Sequence, residues 1–151
     1  MVVKTVLRAS WLALWLFVAG DPFTGFWKLN LAKSKLPPPL PQSQTTRIEA
    51  SAGGIDIVEE IVSDKGERTT VTVSAKFDGK DYPVNGSPVA DSVVYQRIDS
   101  HTIRGVARKA GKVVVHETVV VSKDGKTLTG TYSGTDAAGK EIAGIAVFEK
   151  Q

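Results

Sequence analysis

Residues 21–38 read DPFTGFWKLNLAKSKLPP, and the segment 23–29 within them, FTGFWKL, predicts how the folded domain begins. Successive side chains in a β-strand point to opposite faces, so Trp27, Leu29 and Leu31 share one face. A strand that carries Trp and two Leu on one face has to be covered by a core. The prolines that follow lack a backbone N–H and cannot continue a strand inside a sheet. We therefore expect the domain to open with a strand whose apolar face is buried.

Beyond this stretch, turn signals built on Gly and Asp recur, with about 12–14 residues between most neighbours, as in an antiparallel meander. The runs between the turns are rich in Val, Ile and Thr, which favour strands. A short run at 81–84 predicts a tenth strand beside nine longer ones. The nine cover residues 25–31, 45–50, 55–62, 69–77, 92–98, 102–107, 112–121, 127–133 and 141–148.

These elements predict an all-β fold, an antiparallel up-and-down β-barrel of about 9–10 strands, because closure into a barrel removes exposed sheet edges. A two-sheet sandwich is the alternative. The segment 32–42 holds four prolines, and we expect it to be an extended connection that runs over the outside of the barrel or across one end.

The first twenty residues have the pattern of a secretory signal peptide. Lys4 and Arg8 supply positive charge, and residues 9–19 form an apolar run that is short for a span of roughly 20 residues. We expect cleavage after Gly20 and export to the periplasm or beyond, which leaves residues 21–151 as one β-barrel domain without a membrane span. An uncleaved membrane anchor is the alternative.

Composition argues against several classes of function. Two of the 19 basic residues lie in the leader, so the remaining chain has 17 basic and 16 acidic residues and is nearly neutral. It also lacks the block of basic residues interleaved with aromatic ones that would predict nucleic-acid binding. There is no cysteine, and His101 and His116 form no metal-binding motif. Neither a nucleophile elbow nor a nucleotide-binding loop is present. We expect a monomer that is not an enzyme and has no cofactor or metal.

The opening and closing segments resemble those of a known superfamily. Phe23-x-Gly25-x-Trp27-Lys28-Leu29 resembles the first strand of the calycins, which include the lipocalins and the fatty-acid-binding proteins. In those families a Gly-x-Trp places the indole across the closed end of the barrel. Residues 146–150, AVFEK, are similar to the closing strand of the fatty-acid-binding proteins, which often reads RIYEK. The resemblance implies a small exported lipocalin-like barrel that binds a small hydrophobic ligand.

Two departures from the fatty-acid-binding proteins bear on the ligand. The Arg and Tyr of their closing strand help to clamp a carboxylate, and Ala146 and Phe148 stand at these positions here. Their helical lid after the first strand is replaced by the proline-rich connection. A fatty acid bound in that family's manner is therefore not expected.

The two-residue alternation of side chains along each strand predicts which residues face the barrel interior. Gly105, Gly130, Gly134, Gly144 and Ala146 fall on inward faces, so either a cavity remains or large side chains opposite fill the space. Polar residues share the apolar faces of three strands, and a few polar groups in an apolar pocket are typical of a small-molecule site. The predicted ligand-binding residues are Glu59, Tyr95, Arg97, Glu117, Tyr132, Ala146 and Phe148.

A buried carboxylate has to be paired or protonated, which makes Arg97 a predicted partner for Glu59 or Glu117. The strand 112–121 has two candidate inward faces. Glu117 shares one with Val113, Val115, Val119 and Val121, and His116 shares the other with Val114 and Val120. The predicted function is non-catalytic binding of a small apolar or amphipathic molecule inside the barrel. A structural or envelope-associated barrel with a filled interior is the alternative.

Overall fold

The computed structural model describes residues 20–151, and ten β-strands make up most of this part of the chain. The predicted signal peptide lies outside the described residues except for Gly20, so it stays a prediction. No helix in the range 20–151 has the length and apolar character needed to cross a bilayer. The strands are β1 Gly25–Leu29, β2 Ser43–Ala50, β3 Gly54–Val62, β4 Arg68–Lys76, β5 Tyr82–Asn85, β6 Ser92–Asp99, β7 Thr102–Lys109, β8 Lys112–Val121, β9 Thr127–Thr135 and β10 Glu141–Lys150.

The ten strands form one closed antiparallel barrel in which each strand pairs with its neighbours along the chain. Pairing of β1 with β10 closes it, and the register joins Trp27 to Lys150 and Leu29 to Phe148. The predicted all-β, up-and-down barrel is confirmed, and the sandwich is excluded. The tenth strand predicted at 81–84 is β5, which contributes only two paired positions to each neighbour.

The antiparallel order sorts the connections into two groups, one at each end of the barrel. The turns after β2, β4, β6 and β8 lie at the same end as the start of β1. The proline-rich connection between β1 and β2 lies at the opposite end, with the connections after β3, β5, β7 and β9. The first end is closed by aromatic side chains, and the second end holds the opening of the barrel interior.

Trp27 closes the first end, as predicted. Its side chain is fully buried, and its indole Nε1 donates a 2.9 Å hydrogen bond to the backbone carbonyl of Phe23, which is buried too. The ammonium of Lys150 lies 5.1 Å from the centre of the indole ring, at cation–π distance. Trp27 therefore has its apolar surface covered and its one polar group satisfied, which is how a buried Trp stabilises a fold.

The first strand is shorter than predicted, and the assignment of Leu31 to its buried face is wrong. β1 ends at Leu29, and a 3-10 turn, Leu31–Lys33, follows it. The Asn30 side chain accepts a 3.1 Å hydrogen bond from the backbone N–H of Lys33, which favours a turn over an extended chain. Leu31 is consequently 39% exposed.

A β-bulge in β8 corrects a second assignment. Ala107 pairs with Val115, but the next residue of β7, Arg108, pairs with Val113, so Val114 is the extra residue. The bulge reverses the alternation on its far side, and Val113 is 47% exposed although it was grouped with the inward face. From Val115 onward, the inward face of β8 is the candidate face that contains Glu117. Glu117 lines the interior, and His116, which belongs to the other candidate face, is exposed.

Candidate functional site

The barrel encloses a cavity of about 460 Å³ that opens at the end opposite Trp27. Small-molecule sites typically measure roughly 300–1,000 Å³, so this volume suits a small organic molecule. Its floor is formed by Phe23, Leu128 and Phe148, which pack against the closed end. The predicted structural alternative of a filled interior does not describe this barrel.

Four side chains of the proline-rich connection and one side chain of the loop between β5 and β6 surround the mouth. These residues are Leu36, Pro37, Pro39, Pro41 and Val89. The segment before the prolines is attached to β10, because Lys35 and Ile145 exchange backbone hydrogen bonds of 2.7 and 2.8 Å. Of the two routes predicted for this connection, the structure shows the one across the end of the barrel, where proline side chains form an apolar rim.

One side of the cavity is apolar and contains open space left by small residues. Cross-strand pairing aligns Ile103, Val119, Gly130 and Ala146 in a row across four strands, and all four line the cavity. A Cβ atom added at Gly130 would have no neighbouring heavy atom within 4 Å. Gly130 is therefore the inward small residue that leaves free volume.

A second row, closer to the mouth, carries the polar side chains. Pairing aligns Tyr95 with Gly105, Gly105 with Glu117, Glu117 with Tyr132, and Tyr132 with Gly144. The two glycines give room to the large side chains beside them. A Cβ at Gly105 would lie 2.5 Å from Glu117 Oε1 and 2.8 Å from the Tyr95 ring, so this glycine lets Tyr95 and Glu117 approach each other.

Gly144 has the same role for Tyr132, so of the two outcomes predicted for the inward small residues, a large side chain fills the space here. A Cβ at Gly144 would lie 2.6 Å from the Tyr132 hydroxyl oxygen and 3.0 Å from the backbone oxygen of Lys35. Gly134 lies against the backbone of Val114 at the bulge, so it leaves no space either. Gly105, Gly134 and Gly144 are thus positions where a neighbouring side chain or backbone segment packs directly against the glycine.

This difference between the glycines gives a stability prediction. Gly144→Leu should lower the free energy of unfolding by about 1–3 kcal/mol, because the new side chain has to displace the Tyr132 ring. Gly130→Leu, on the neighbouring strand, should cost less, since its side chain enters free volume. Urea denaturation of both variants is the measurement, and equal losses would contradict this account of the cavity wall.

Glu59, on β3, faces the cavity from the opposite side. Gln44 Nε2 donates a short hydrogen bond to Glu59 Oε1, and Thr46 lies opposite Glu59 in the register. Burial within the barrel raises the pKa of Glu59 from 4.5 to about 7, the negative charge of Glu117 adds to this rise, and hydrogen bonds from Gln44 and Thr46 oppose it. Near neutral pH, Glu59 therefore exchanges between its neutral and its ionised form.

Glu117 and Tyr95 form the second polar group of the cavity. Burial raises the pKa of Glu117 above its ordinary value, and a hydrogen bond from Tyr95 opposes the rise. Burial also raises the pKa of Tyr95 well above its ordinary value, with further contributions from the charge and the hydrogen bond of Glu117. Tyr95 is thus a neutral hydrogen-bond donor, and Glu117 is its acceptor.

The predicted pairing of Arg97 with Glu59 or Glu117 is wrong. Arg97 lies at the closed end, where its guanidinium forms an ion pair with Asp21 and donates hydrogen bonds to backbone carbonyls of the turns there. It also stacks within 5.5 Å of the Phe23 ring centre. Arg97 shares a face with Tyr95, as predicted, but it stands two residues nearer the strand end and its long side chain extends away from the cavity.

The structure therefore brings six of the seven predicted site residues together around one cavity and separates Arg97 from them. The six are Glu59, Tyr95, Glu117, Tyr132, Ala146 and Phe148. Their role in ligand binding remains a prediction. Sequence reasoning missed the proline rim, Gln44 and Thr46. Alternation outward from the buried Ile48 would have found Gln44 and Thr46, because all three share one face of β2.

Comparisons with known proteins bear on the fold alone. No protein-family model matches the chain, and no curated protein matches it. Among solved structures, the barrel is similar to zebrafish ileal bile acid-binding protein, which was crystallised with cholic acid. The two chains are 11% identical, the match covers 86% of this chain and 99% of the zebrafish chain, and the TM-score is 0.53.

The described residues form a closed ten-stranded antiparallel barrel, and its fold is similar to that of the bile acid-binding protein. This agrees with the predicted lipocalin-like architecture. An identity of 11% carries no information about the ligand, since one fold hosts many functions. Within residues 20–151 there is no cluster of three or more His, Asp or Glu side chains that could hold a metal ion.

Proposed function

We propose that this barrel binds a small apolar or amphipathic molecule reversibly and without covalent chemistry. The observation that supports it most directly is the cavity of about 460 Å³, which has apolar walls, a few polar groups and an open mouth. A pocket with this combination of walls and polar groups is the usual form of a small-molecule site. A protein with a purely structural role gains nothing from such a void, because unfilled interior volume lowers stability.

Filling the cavity tests this proposal. The neutral fluorescent dye N-phenyl-1-naphthylamine should bind to the wild-type protein with increased emission. Gly130→Leu should weaken its affinity by tenfold or more, because the added side chain occupies the volume beside Ala146. The measurement is a fluorescence titration at constant protein concentration.

Thr131→Leu is the matched control, since Thr131 is the next residue of β9 and is exposed on the outside of the barrel. It adds a leucine to the same strand without entering the cavity, so the dye affinity should stay at the wild-type value. Failure of the wild-type protein to bind the dye, or equal affinity of Gly130→Leu, would overturn the proposal.

We further propose that the protein acts outside the cytoplasm, after removal of residues 1–20. The pattern of Lys4, Arg8 and the apolar run 9–19 supports this. Mass spectrometry of the protein exported by its own host should give a chain that begins at Asp21. A chain that keeps Met1 in the exported fraction would contradict cleavage.

A further inference from the structure

The ionisable groups of the cavity wall are all acids. Among the described residues that line the cavity, the ionisable ones are Glu59, Glu117, Tyr95 and Tyr132, and no Arg, Lys or His is present. The arginine that the sequence placed nearest to them, Arg97, is held at the closed end by Asp21. The interior can therefore develop negative charge, and its wall supplies no positive charge to balance it.

Neutral groups surround both carboxyls on the neighbouring strands. Glu59 is next to Thr46 on β2 and Val71 on β4, with Gln44 as its hydrogen-bond donor. Glu117 is next to Gly105 on β7 and Tyr132 on β9, and it accepts a hydrogen bond from Tyr95 on β6. Each carboxyl thus has a neutral hydrogen-bond donor beside it, while no positively charged side chain of the cavity wall compensates the charge of its ionised form.

From this arrangement, and resting on the proposed function, we propose that the cavity selects an organic cation, a protonated amine with an apolar body, over an anion of the same size. The ammonium group would supply the counter-charge that a buried carboxylate needs, together with hydrogen-bond donors for its free oxygens. The apolar body would pack against the row from Ile103 to Ala146. A carboxylate ligand would instead meet two like charges in an apolar enclosure.

Binding of a cation should be linked to protons. The free site holds Glu59 partly protonated near neutral pH, since the pKa of this carboxyl is about 7. A bound ammonium favours the ionised carboxylates, so binding should release protons, and affinity should increase as pH rises. A carboxylate ligand should show the opposite slope. Lowering of the carboxyl pKa by one on ligand binding corresponds to a change in affinity of about tenfold.

Three ligands with the same chain test the charge preference: decylamine, 1-decanol and decanoate. Each is titrated against the complex with N-phenyl-1-naphthylamine at pH 5 and at pH 8, and its affinity is calculated from dye displacement. Decylamine remains protonated at both values, because alkylamines titrate near pH 10. At pH 8 decylamine should bind at least tenfold more tightly than decanoate, and its affinity should fall at pH 5.

Two substitutions assign the preference to the cavity acids. Glu59→Gln should reduce the affinity for decylamine at pH 8 and weaken its pH dependence, and the double variant with Glu117→Gln should remove that dependence, while 1-decanol keeps its affinity in both. Glutamine preserves the size and the hydrogen bonding of the side chain, so folding should be retained. Glu60→Gln, on the exposed face of the same strand, is the control that should change nothing.

The outcomes separate this inference from the proposed function. Binding of 1-decanol with decanoate equal to or tighter than decylamine would overturn the preference for cations and leave small-molecule binding intact. A preference for decylamine that survives in the double variant would place its origin outside the cavity and overturn the assignment. Failure of the dye and of all three ligands to bind would overturn both.

Discussion

Trp27→Ala should lower the free energy of unfolding by about 3–5 kcal/mol, which is the range for removing a large aromatic side chain from a core. Trp27 is 0% exposed and closes one end of the barrel, so truncation leaves a void in the core cluster that contains Phe23, Leu128 and Phe148. It also removes the donor of the 2.9 Å hydrogen bond to the Phe23 carbonyl, and a buried acceptor without a partner adds to the cost.

The control for this substitution is the preceding residue. Phe26 lies on the outer face of β1 and is 42% exposed, so Phe26→Ala should cost less than about 1 kcal/mol. Urea denaturation followed by circular dichroism measures both variants on the same scale. A stability of Trp27→Ala equal to that of the wild type would place the indole on the surface and contradict the register of β1 with β10.

Unfolding as a function of pH should reveal the buried carboxyl of Glu59. Its pKa is about 7 in the folded protein and 4.5 as the unperturbed value, so between these limits the folded state binds more protons than the unfolded state. The stability that Glu59 contributes is therefore complete below pH 4.5 and is lost as pH rises through about 7. The full loss is about 3 kcal/mol, because a tenfold difference in proton affinity between the two states corresponds to roughly 1.4 kcal/mol.

Glu59→Gln should remove this loss of stability at high pH, because glutamine resembles the protonated carboxyl and does not ionise. At pH 8 the variant should be more stable than the wild type by an amount approaching that loss, and at pH 4 the two should be nearly equal. The difference between variant and wild type is the quantity to measure, because it cancels the effects of the other titrating groups. Glu117 should leave a remaining decrease in the variant, since burial raises its pKa too.

Glu60→Gln is again the matched control, because it makes the same chemical change one residue away on the solvent-exposed face of β3. Its stability profile should follow that of the wild type between pH 4 and pH 8. A Glu59→Gln variant with the wild-type profile would show that Glu59 is hydrated, and that the cavity is accessible enough to keep its carboxyl near its ordinary pKa.

Short-range sequence patterns were enough to predict the barrel and most of its inward face. The alternation that groups Trp27 with Leu29, and Glu59 with Ile55 and Ile57, depends only on the two-residue period of a strand. Turns depend on Gly and Asp at adjacent positions, which is also a local property. Six of the seven predicted site residues line the cavity for this reason.

Local pattern was insufficient where the outcome depended on a neighbouring strand. Val113 has the right spacing for the inward face of β8, but the bulge at Val114 changes its direction, and that bulge exists only in the pairing with β7. Leu31 also continues the alternation of β1, but the reason for its exposure is local, because the Asn30 side chain accepts a hydrogen bond from Lys33 N–H and ends the strand.

Long-range packing determined which inward glycines lie beside free volume and which charged side chains form ion pairs. Gly130 and Gly144 are equivalent as inward glycines in the sequence, yet Gly144 lies under the Tyr132 ring and Gly130 faces free volume. Arg97 meets Asp21, 76 residues away, because barrel closure brings the start of the chain against the turn after β6. Such contacts depend on the stagger of ten strands around the barrel, and spacing along one strand contains no information about it.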